Sequence, residues 1–299
     1  MSFLEQVGFG LIYPVVLGGG LLALIHWRLN RRPTRNPLGE DIQLRRQPGE
    51  HLRLEIAIQM ERLLWAVFAL MLLPLGGFCA VLWITTFLKV DVLVRLVASV
   101  AACLLVIACV YALILRFFSK LANLRLGWFG ERVVADQLDV LKQKGYEIFH
   151  DVPCKGSMGS FNLDHVVVGN GIVVVVETKT RRKPKEKGSH KVSYCGQALQ
   201  WPWGRSTREL DQVVNNAQWL RQEFKKNLNL DVTVYAALTI PGWYVIGGPP
   251  QAPVLVESYK RLAGFIEKRF ARRMTSVETE LASLHLHKLS SNVGYANLE

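Results

Sequence analysis

The stretch Phe161-Asn-Leu-Asp-His-Val-Val-Val-Gly-Asn-Gly-Ile-Val-Val-Val-Val-Glu-Thr-Lys179 decides the fold of the C-terminal half of this chain. Two runs of β-branched residues flank Asn170-Gly171, which is the preferred dipeptide of a two-residue type I′ hairpin turn. In such a hairpin Gly169 faces Ile172, and each further pair is found by stepping outward one residue on both strands. The sequence therefore predicts an antiparallel hairpin that turns at Asn170-Gly171.

This register brings two carboxyl groups together. Counting outward from the turn, Asp164 faces Glu177 and Asn162 faces Lys179, and all four side chains point to one face because strand side chains alternate. Facing Cβ atoms lie about 4.5–5.5 Å apart, where like charges are destabilising. A divalent cation would compensate them, since Mg²⁺ is bound through one or two carboxylates plus substrate phosphates.

A cation at Asp164 and Glu177 with Lys179 beside it suits phosphodiester hydrolysis. In that reaction the metal polarises the phosphate and lowers the pKa of a bound water. The expected cofactor is Mg²⁺ or Mn²⁺. The alternative is a solvated sheet face on which Lys179 pairs with one of the acids.

The first 118 residues are strongly enriched in aliphatic side chains. Three runs approach or exceed the ~20 apolar residues that cross a bilayer as a helix: about Val7–Trp27, Leu63–Leu88 and Leu96–Leu115. No Lys or Arg precedes the first run, so a retained anchor is favoured over a cleaved signal peptide. The sequence predicts an α-helical membrane region over residues 1–118 with three transmembrane helices.

Positive charges set the expected orientation. The segment 28–62 carries eight arginines, whereas the turn near Lys89 is short. The positive-inside rule places this Arg-rich loop and the C-terminal half in the cytoplasm and the N-terminus outside. We therefore expect a multi-pass protein of the cell inner (cytoplasmic) membrane, in which the loop serves topology and contact with the lipid bilayer.

The rest of the chain is basic, and its sequence pattern predicts an α/β domain. Beyond Phe117 there are 25 Lys and Arg against 17 Asp and Glu, which suits a nucleic-acid partner or an anionic membrane surface, although solubility alone would also explain it. The five cysteines form no metal or disulfide pattern and are expected to be reduced. Periodicity predicts a helix over Gly127–Lys144 ended by Gly145, a strand at about Tyr146–Val152, a helix at about Arg208–Asn227 and a strand over Val232–Ile240.

Several motifs in combination resemble the nuclease-related domain (NERD) family, which is related to the PD-(D/E)xK nucleases. They are Gly127-x-x-Gly130-Glu131, Asp164-His-Val-Val-Val-Gly, Gly171-Ile-Val-Val-Val-Val-Glu177-Thr-Lys179 and a later helix with Gln212. The likeness covers about Leu126–Phe270 and implies a domain over 119–270 with a restriction-endonuclease-like αβββαβ core and a mixed sheet. Residues 271–299 would then form a C-terminal tail, whose leucines fit a helix but suggest no chemistry.

The resemblance also implies roles for individual residues. Asp164 and Glu177 would be metal ligands, and Lys179 would orient or stabilise the attacking hydroxide. Glu131 would approach the site from the first helix and Gln212 from the later one. The alternatives are that Glu131 is a first-turn acid favoured by the helix dipole and that Gln212 is an ordinary surface residue. Family members usually have an Asn-Pro pair shortly before this glutamine, whereas the present chain has Arg208-Glu-Leu-Asp211.

A basic segment follows the hairpin. Seven basic residues and one acid, Glu186, lie between Lys179 and Lys191. Such a loop beside a metal site could follow a phosphate backbone, and the candidate contacts are Arg181, Arg182, Lys183, Lys185 and Lys187. Trp201 and Trp203 could stack on bases. The alternatives are a solvated loop and two packed aromatic rings, and His150 and His165 are expected to be structural.

The leading interpretation is a membrane-anchored, metal-dependent nuclease-like protein that hydrolyses phosphodiester bonds in cytoplasmic DNA or RNA. A second interpretation is a catalytically silent module that tethers nucleic acid or a protein to the membrane. A third makes the spans a sensor or homo-oligomerisation element that gates the domain, as in a defence or stress response. The facing acids favour the first interpretation, because a pure binder has no need to bring two carboxylates together.

Overall fold

Two long helices dominate the N-terminal part of the chain in the computed structural model, which describes residues 16, 18–20, 23–25, 27–28, 43–156, 159–186, 188 and 190–294. The chain divides into one unit of residues 1–39 and 56–123 and a second of residues 40–55 and 124–299. The first predicted span, about Val7–Trp27, lies largely outside the described residues.

The long helices are α1, Glu50–Phe87, and α2, Val92–Leu138. Both are long and apolar enough to cross a membrane, and only 11% and 17% of their most apolar windows are buried. A core helix of a soluble protein would bury most of such a window. Within the first unit the two helices pack through Ala66, Val110 and Ile114. The second and third predicted spans fall inside these helices, which is consistent with a membrane region.

The helix bounds differ from the sequence prediction in two places. The third span and the amphipathic helix at Gly127 were expected to be separate, but α2 runs through both because residues 116–126 contain no Pro or Gly. Helix α1 begins at Glu50, so the last part of the expected loop 28–62 is helical. A 3-10 turn, Asp139–Lys144, follows α2 and ends as predicted at Gly145, which has a φ of 81°.

The second unit is an α/β domain. Its helices after α2 are α3, Arg208–Leu228, α4, Tyr259–Arg269, and α5, Ser276–Ser290. Its strands are β1, Gln43–Arg45; β2, Tyr146–Gly156; β3, Gly159–Gly169; β4, Ile172–Thr178; β5, Lys191–Tyr194; β6, Leu199–Trp201; β7, Gly204–Ser206; β8, Val234–Thr239; β9, Tyr244–Ile246; β10, Val254–Glu257; and β11, Ser291–Gly294.

The central sheet is mixed and has the strand order β10-β8-β4-β3-β2. Strands β2, β3 and β4 form an antiparallel meander, and β8 and β10 add parallel to β4. The order α2, β2, β3, β4, α3 and β8 is the predicted αβββαβ core. A smaller mixed sheet, β7-β6-β5-β9, follows the basic segment, and β1 pairs with β11.

Both faces of the central sheet are covered, which explains the uninterrupted valine run of β4. Val173 and Val175 belong to a core cluster with α3 and α5, whereas Val174 and Val176 belong to a second cluster with α2 and α4. Every residue of β4 is buried. A strand buried on both sides loses the alternation of polar and apolar residues.

The segment after Phe270 is part of the domain. Helix α5 buries Ala282 and Leu286 completely in the larger core cluster. It begins with a capping box in which Thr275 and Glu278 exchange side-chain and backbone hydrogen bonds. Helix α5 therefore packs on the core through Ala282 and Leu286 and is not a peripheral tail, although Leu281 and Leu284 are exposed.

Candidate functional site

The hairpin of β3 and β4 has the predicted register. Asn170 and Gly171 have φ values of 49° and 77°, as a type I′ turn requires. Gly169 pairs with Ile172 and His165 with Val176. The prediction of a hairpin turning at Asn170-Gly171 is confirmed.

The two strands separate at the level of the predicted acids. The paired register ends at His165–Val176, and Asp164 and Glu177 occupy the next position outward. There Asp164 Oδ2 accepts a hydrogen bond from the backbone N–H of Thr178 at 2.7 Å. Leu163 and Val166 lie in the same core cluster although three positions separate them, so regular alternation is broken between them. The predicted pairing of Asn162 with Lys179 therefore lies beyond the paired register.

Glu177 is the best-connected acid of the site. It is buried, with 1% of its surface exposed. Its Oε1 accepts hydrogen bonds from Lys179 Nζ at 2.6 Å and from Gln212 Nε2 at 2.7 Å. Its Oε2 accepts one from Asn216 Nδ2 at 3.0 Å. Sequence reasoning missed Asn216, although its position four residues after Gln212 puts both amides on one face of α3.

Glu131 reaches this region because α2 packs very closely on the segment after β4. A Cβ added to Gly130 would lie 2.1 Å from Thr180 Cγ2, so any larger residue would force the Thr180 side chain to move. Glu131 is buried, and its Oε2 has no hydrogen-bond partner among the described residues. Burial is the largest cause that raises the pKa of Glu131 to about 7, and the charges of Asp151 and Glu177 add to it against His51 and Lys179.

The pKa of Asp164 is raised for similar reasons. Burial first, and then the charges of Glu177 and Glu131, raise its pKa well above the ordinary range. Lys179 and the hydrogen bond from Thr178 oppose the shift. The charge of Glu177 thus disfavours the ionised forms of both Asp164 and Glu131.

A second polar cluster, which the sequence did not reveal, joins the start of α1 to β2. Asp151 is fully buried and has a φ of 48°. It accepts hydrogen bonds from Arg46 Nη1 at 2.9 Å, from the backbone N–H of His51 at 2.8 Å and from His51 Nδ1. Burial of His51 works against protonation, but Asp151 prevails and raises its pKa. Residues far apart in sequence build this cluster, so no local pattern signals it.

The chemistry of the three acids fits a hard divalent cation. Carboxylate oxygens are the ligands that Mg²⁺ takes from proteins, with waters or substrate phosphates completing its shell. The unpartnered oxygen of Glu131 and the raised pKa values of Glu131 and Asp164 indicate negative charge that lacks compensation. Within the described residues, however, no group of three His, Cys, Asp or Glu side chains already converges as a metal site. The residues fit a cation that takes part of its shell from water or substrate.

The predicted basic contacts have mixed surroundings. Arg181 is tied to buried Glu209 by a 2.8 Å ion pair, and its carbonyl accepts a hydrogen bond from Trp243 Nε1. Arg182, Lys183 and Lys185 are exposed. Lys187 lies outside the described residues.

The two tryptophans form one close pair of rings and the two histidines form another. Trp201 is buried, whereas Trp203 is 55% exposed and stacks on Trp201 with ring centroids 5.1 Å apart. The Nδ1 atoms of His150 and His165 lie 2.9 Å apart. Burial lowers the pKa of His150 to about 4 and that of His165 well below its ordinary range. These properties agree with the structural role expected for both histidines.

An αβββαβ core with two acids and a lysine at the point where β3 and β4 separate defines a domain of the restriction-endonuclease-like class. Residues 126–241 match the family model described as the nuclease-related domain, NERD. This part of the chain is therefore a nuclease-related domain. Curated proteins provide no match to the chain.

We expect Gly130→Ala to destabilise the protein, because the new methyl group would overlap Thr180 Cγ2. Overpacking of this kind costs about 1–3 kcal/mol, and Thr180→Ser should restore most of the loss by removing that methyl group. Gly264→Ala is the matched control, since no atom lies within 4 Å of its added Cβ. Melting temperatures of the full-length protein in detergent test the set, and equal values for the two alanine variants would contradict the packing argument.

A second prediction follows from the raised pKa of Glu131. A carboxyl group with a folded-state pKa of about 7 stabilises the fold below its ordinary value of 4.5, and this contribution is lost as the pH rises through 7. Glu131→Gln removes the effect. Its melting temperature relative to wild type should therefore increase from pH 5 to pH 8 in metal-free buffer.

The comparison needs an acid that is outside the site. Glu280→Gln on the exposed face of α5 provides it and should follow wild type throughout this pH range. A difference between Glu131→Gln and wild type that stays constant with pH would show that the Glu131 side chain does not titrate there.

Proposed function

We propose that this chain is a membrane-anchored nuclease that hydrolyses phosphodiester bonds of DNA or RNA with the help of Mg²⁺ or Mn²⁺. The observation that carries the proposal is the burial of Asp164, Glu177 and Glu131 together, beside Lys179, in a nuclease-related domain. A structural role gives no reason to bury Asp164 and Glu131 beside Glu177, whose charge raises the pKa of both. A hydrolytic centre for a phosphate needs such an arrangement.

Asp164 and Glu177 would hold the cation. When bound, it supplies positive charge that polarises the phosphate and acidifies a water molecule. Lys179 Nζ, which lies 2.6 Å from Glu177 Oε1, would stabilise negative charge developing on the phosphate. Gln212 and Asn216 hold Glu177 in one orientation through both of its oxygens. Glu131 has a pKa near neutrality, which suits a group that accepts or donates a proton during hydrolysis.

A second candidate function is a nucleic-acid-binding or protein-binding module without turnover. It is favoured by the hydrogen bonds that already occupy both oxygens of Glu177. In this interpretation Lys179 and the two amides neutralise Glu177 permanently and leave no ligand for a metal. The two functions differ in whether Asp164 must carry a charge.

The proposed location is the inner membrane, with the domain in the cytoplasm and the N-terminus outside. Two apolar helices with exposed surfaces support the anchor. The arginines of segment 28–62 and the basic residues after Leu115 support the orientation. The lipid bilayer and nucleic acid are the proposed partners, and self-association of the spans is a further proposal.

We expect the full-length protein to cleave nucleic acid in the presence of Mg²⁺ or Mn²⁺ and Asp164→Asn to abolish cleavage. This change keeps the size of the side chain but removes its charge. Lys179→Ala should lower the rate while metal affinity stays similar or increases, because a competing cation is lost. Labelled single-stranded DNA, double-stranded DNA and RNA at low salt are the substrates, since basic contacts weaken with salt.

The cleavage assay includes Asp136→Asn, an exposed change on α2, as the matched control that should cleave like wild type. Equal cleavage by wild type and Asp164→Asn would identify a contaminant and remove the basis for this site. Binding without cleavage, unchanged in Asp164→Asn, would establish the module without turnover.

The orientation predicts opposite reporter signals. A reporter fused after Lys89 should lie outside the cytoplasm, and one fused to the C-terminus should lie inside it. Paired alkaline phosphatase and fluorescent protein fusions make the measurement. Signals from the same side at both positions would refute the orientation drawn from the arginines.

A further inference from the structure

A cleft of about 660 Å³ lies between the outer end of the β2–β3 hairpin and the exposed side of α3. Lys155 and Phe161 line it from the hairpin, and Asn216, Trp219, Gln222 and Lys226 line it from α3. Its size falls in the range of about 300–1,000 Å³ that small-molecule sites occupy. This space therefore suits one or two nucleotide units.

One wall residue of the cleft, Asn216, also contacts the proposed catalytic centre. Its side chain donates to Glu177 Oε2 at 3.0 Å. Later lining residues follow along α3, because Trp219, Gln222 and Lys226 recur at helical spacing. A strand with a phosphate at Glu177 would continue naturally into this cleft.

The charged groups of the cleft favour an anionic ligand. Lys155 and Lys226 are exposed, and no described residue forms an ion pair with either of them. The one acid of the lining, Glu223, accepts a hydrogen bond from His285 Nε2 at 3.1 Å. Gln222 adds amide donors, which bind phosphate oxygens without reading sequence.

An aromatic pair gives the cleft a surface for a base. The rings of Phe161 and Trp219 meet edge to face, with centroids 5.5 Å apart. Trp219 Nε1 donates to the carbonyl of Lys155 at 3.2 Å, which fixes the indole between hairpin and helix. Trp219 remains partly exposed. A partly exposed, fixed indole is a typical platform for an unstacked base.

We propose that this cleft binds the substrate as a single strand, with phosphates at Lys155 and Lys226 and a base stacked on Trp219. The inference rests on the proposed nuclease function and adds the substrate class and its path. The basic segment after Lys179 is a weaker path, because Arg181 is engaged by Glu209 and Trp201 is buried. Single-stranded substrate follows from the stacking platform, since duplex bases are already stacked on each other.

The test measures fluorescence anisotropy of a labelled single-stranded oligonucleotide with full-length Asp164→Asn protein, which removes cleavage. Adding Lys155→Ala and Lys226→Ala should weaken binding at least about tenfold at low salt. Each lost phosphate contact lowers the slope of log affinity against log salt by about 0.7 for single strands, so the slope should fall by about 1.4. Trp219→Leu should weaken binding by about 5- to 150-fold with an unchanged slope, since stacking is uncharged.

Control variants distinguish binding in the cleft from nonspecific charge effects and from binding along the basic segment. Lys225→Ala with Lys142→Ala removes two exposed lysines that pair with Asp231 and Asp139, and it should leave affinity and slope unchanged. If the Lys155/Lys226 variant binds normally and Lys183→Ala/Lys185→Ala binds more weakly, the strand follows the basic segment. That result would contradict the cleft proposal but leave the proposed nuclease function intact. Equal affinity for duplex would overturn the single-strand assignment, and no binding of any oligonucleotide would overturn both this inference and the proposed function.

Discussion

The arrangement of the domain depends on compensating three carboxyl groups that are buried together. Asp164, Glu177 and Glu131 come from a strand, the next strand and a helix, and each is more than nine-tenths shielded from solvent. Lys179, Gln212 and Asn216 compensate Glu177 by direct hydrogen bonds. Asp164 and Glu131 lack equivalent partners, and their raised pKa values express that deficit. Burial of this kind is costly, and the proposed cation would offset that cost.

The rest of the fold holds these groups in place. The valines of β4 anchor the strand on both faces, so its end at Glu177 is fixed by the core. Gly130 lets α2 approach Thr180, which brings Glu131 to the same region. The cluster of Arg46, His51 and Asp151 ties the start of α1 to β2 near Glu131. Helix α2, most of which is apolar, thus contributes Glu131 to the region of the proposed centre.

Local sequence patterns predicted the parts that depend on local chemistry. Asn170-Gly171 predicted the hairpin register. Periodicity located individual helices and strands, and the resemblance to the nuclease-related domain implied their αβββαβ order. The break in alternation near Asp164 could not be predicted, because it arises where the strands separate. The sequence also did not predict the roles of Asp151 and Asn216 or the cleft beside Trp219, because their partners lie far away in sequence. A polar side chain considered alone is usually an ordinary surface residue. The role of helix α5 was underestimated because its buried residues, Ala282 and Leu286, pack on elements formed earlier in the chain.

The central claim is that Asp164 and Glu177 together hold a divalent cation. The most direct measurement is an anomalous difference map from crystals of the protein grown with Mn²⁺. The account predicts one strong peak at about 2.0–2.6 Å from a carboxylate oxygen of each residue, as expected for a hard cation with oxygen ligands. A clear map in which Glu177 keeps its bonds to Lys179, Gln212 and Asn216, with no peak beside Asp164, would contradict it.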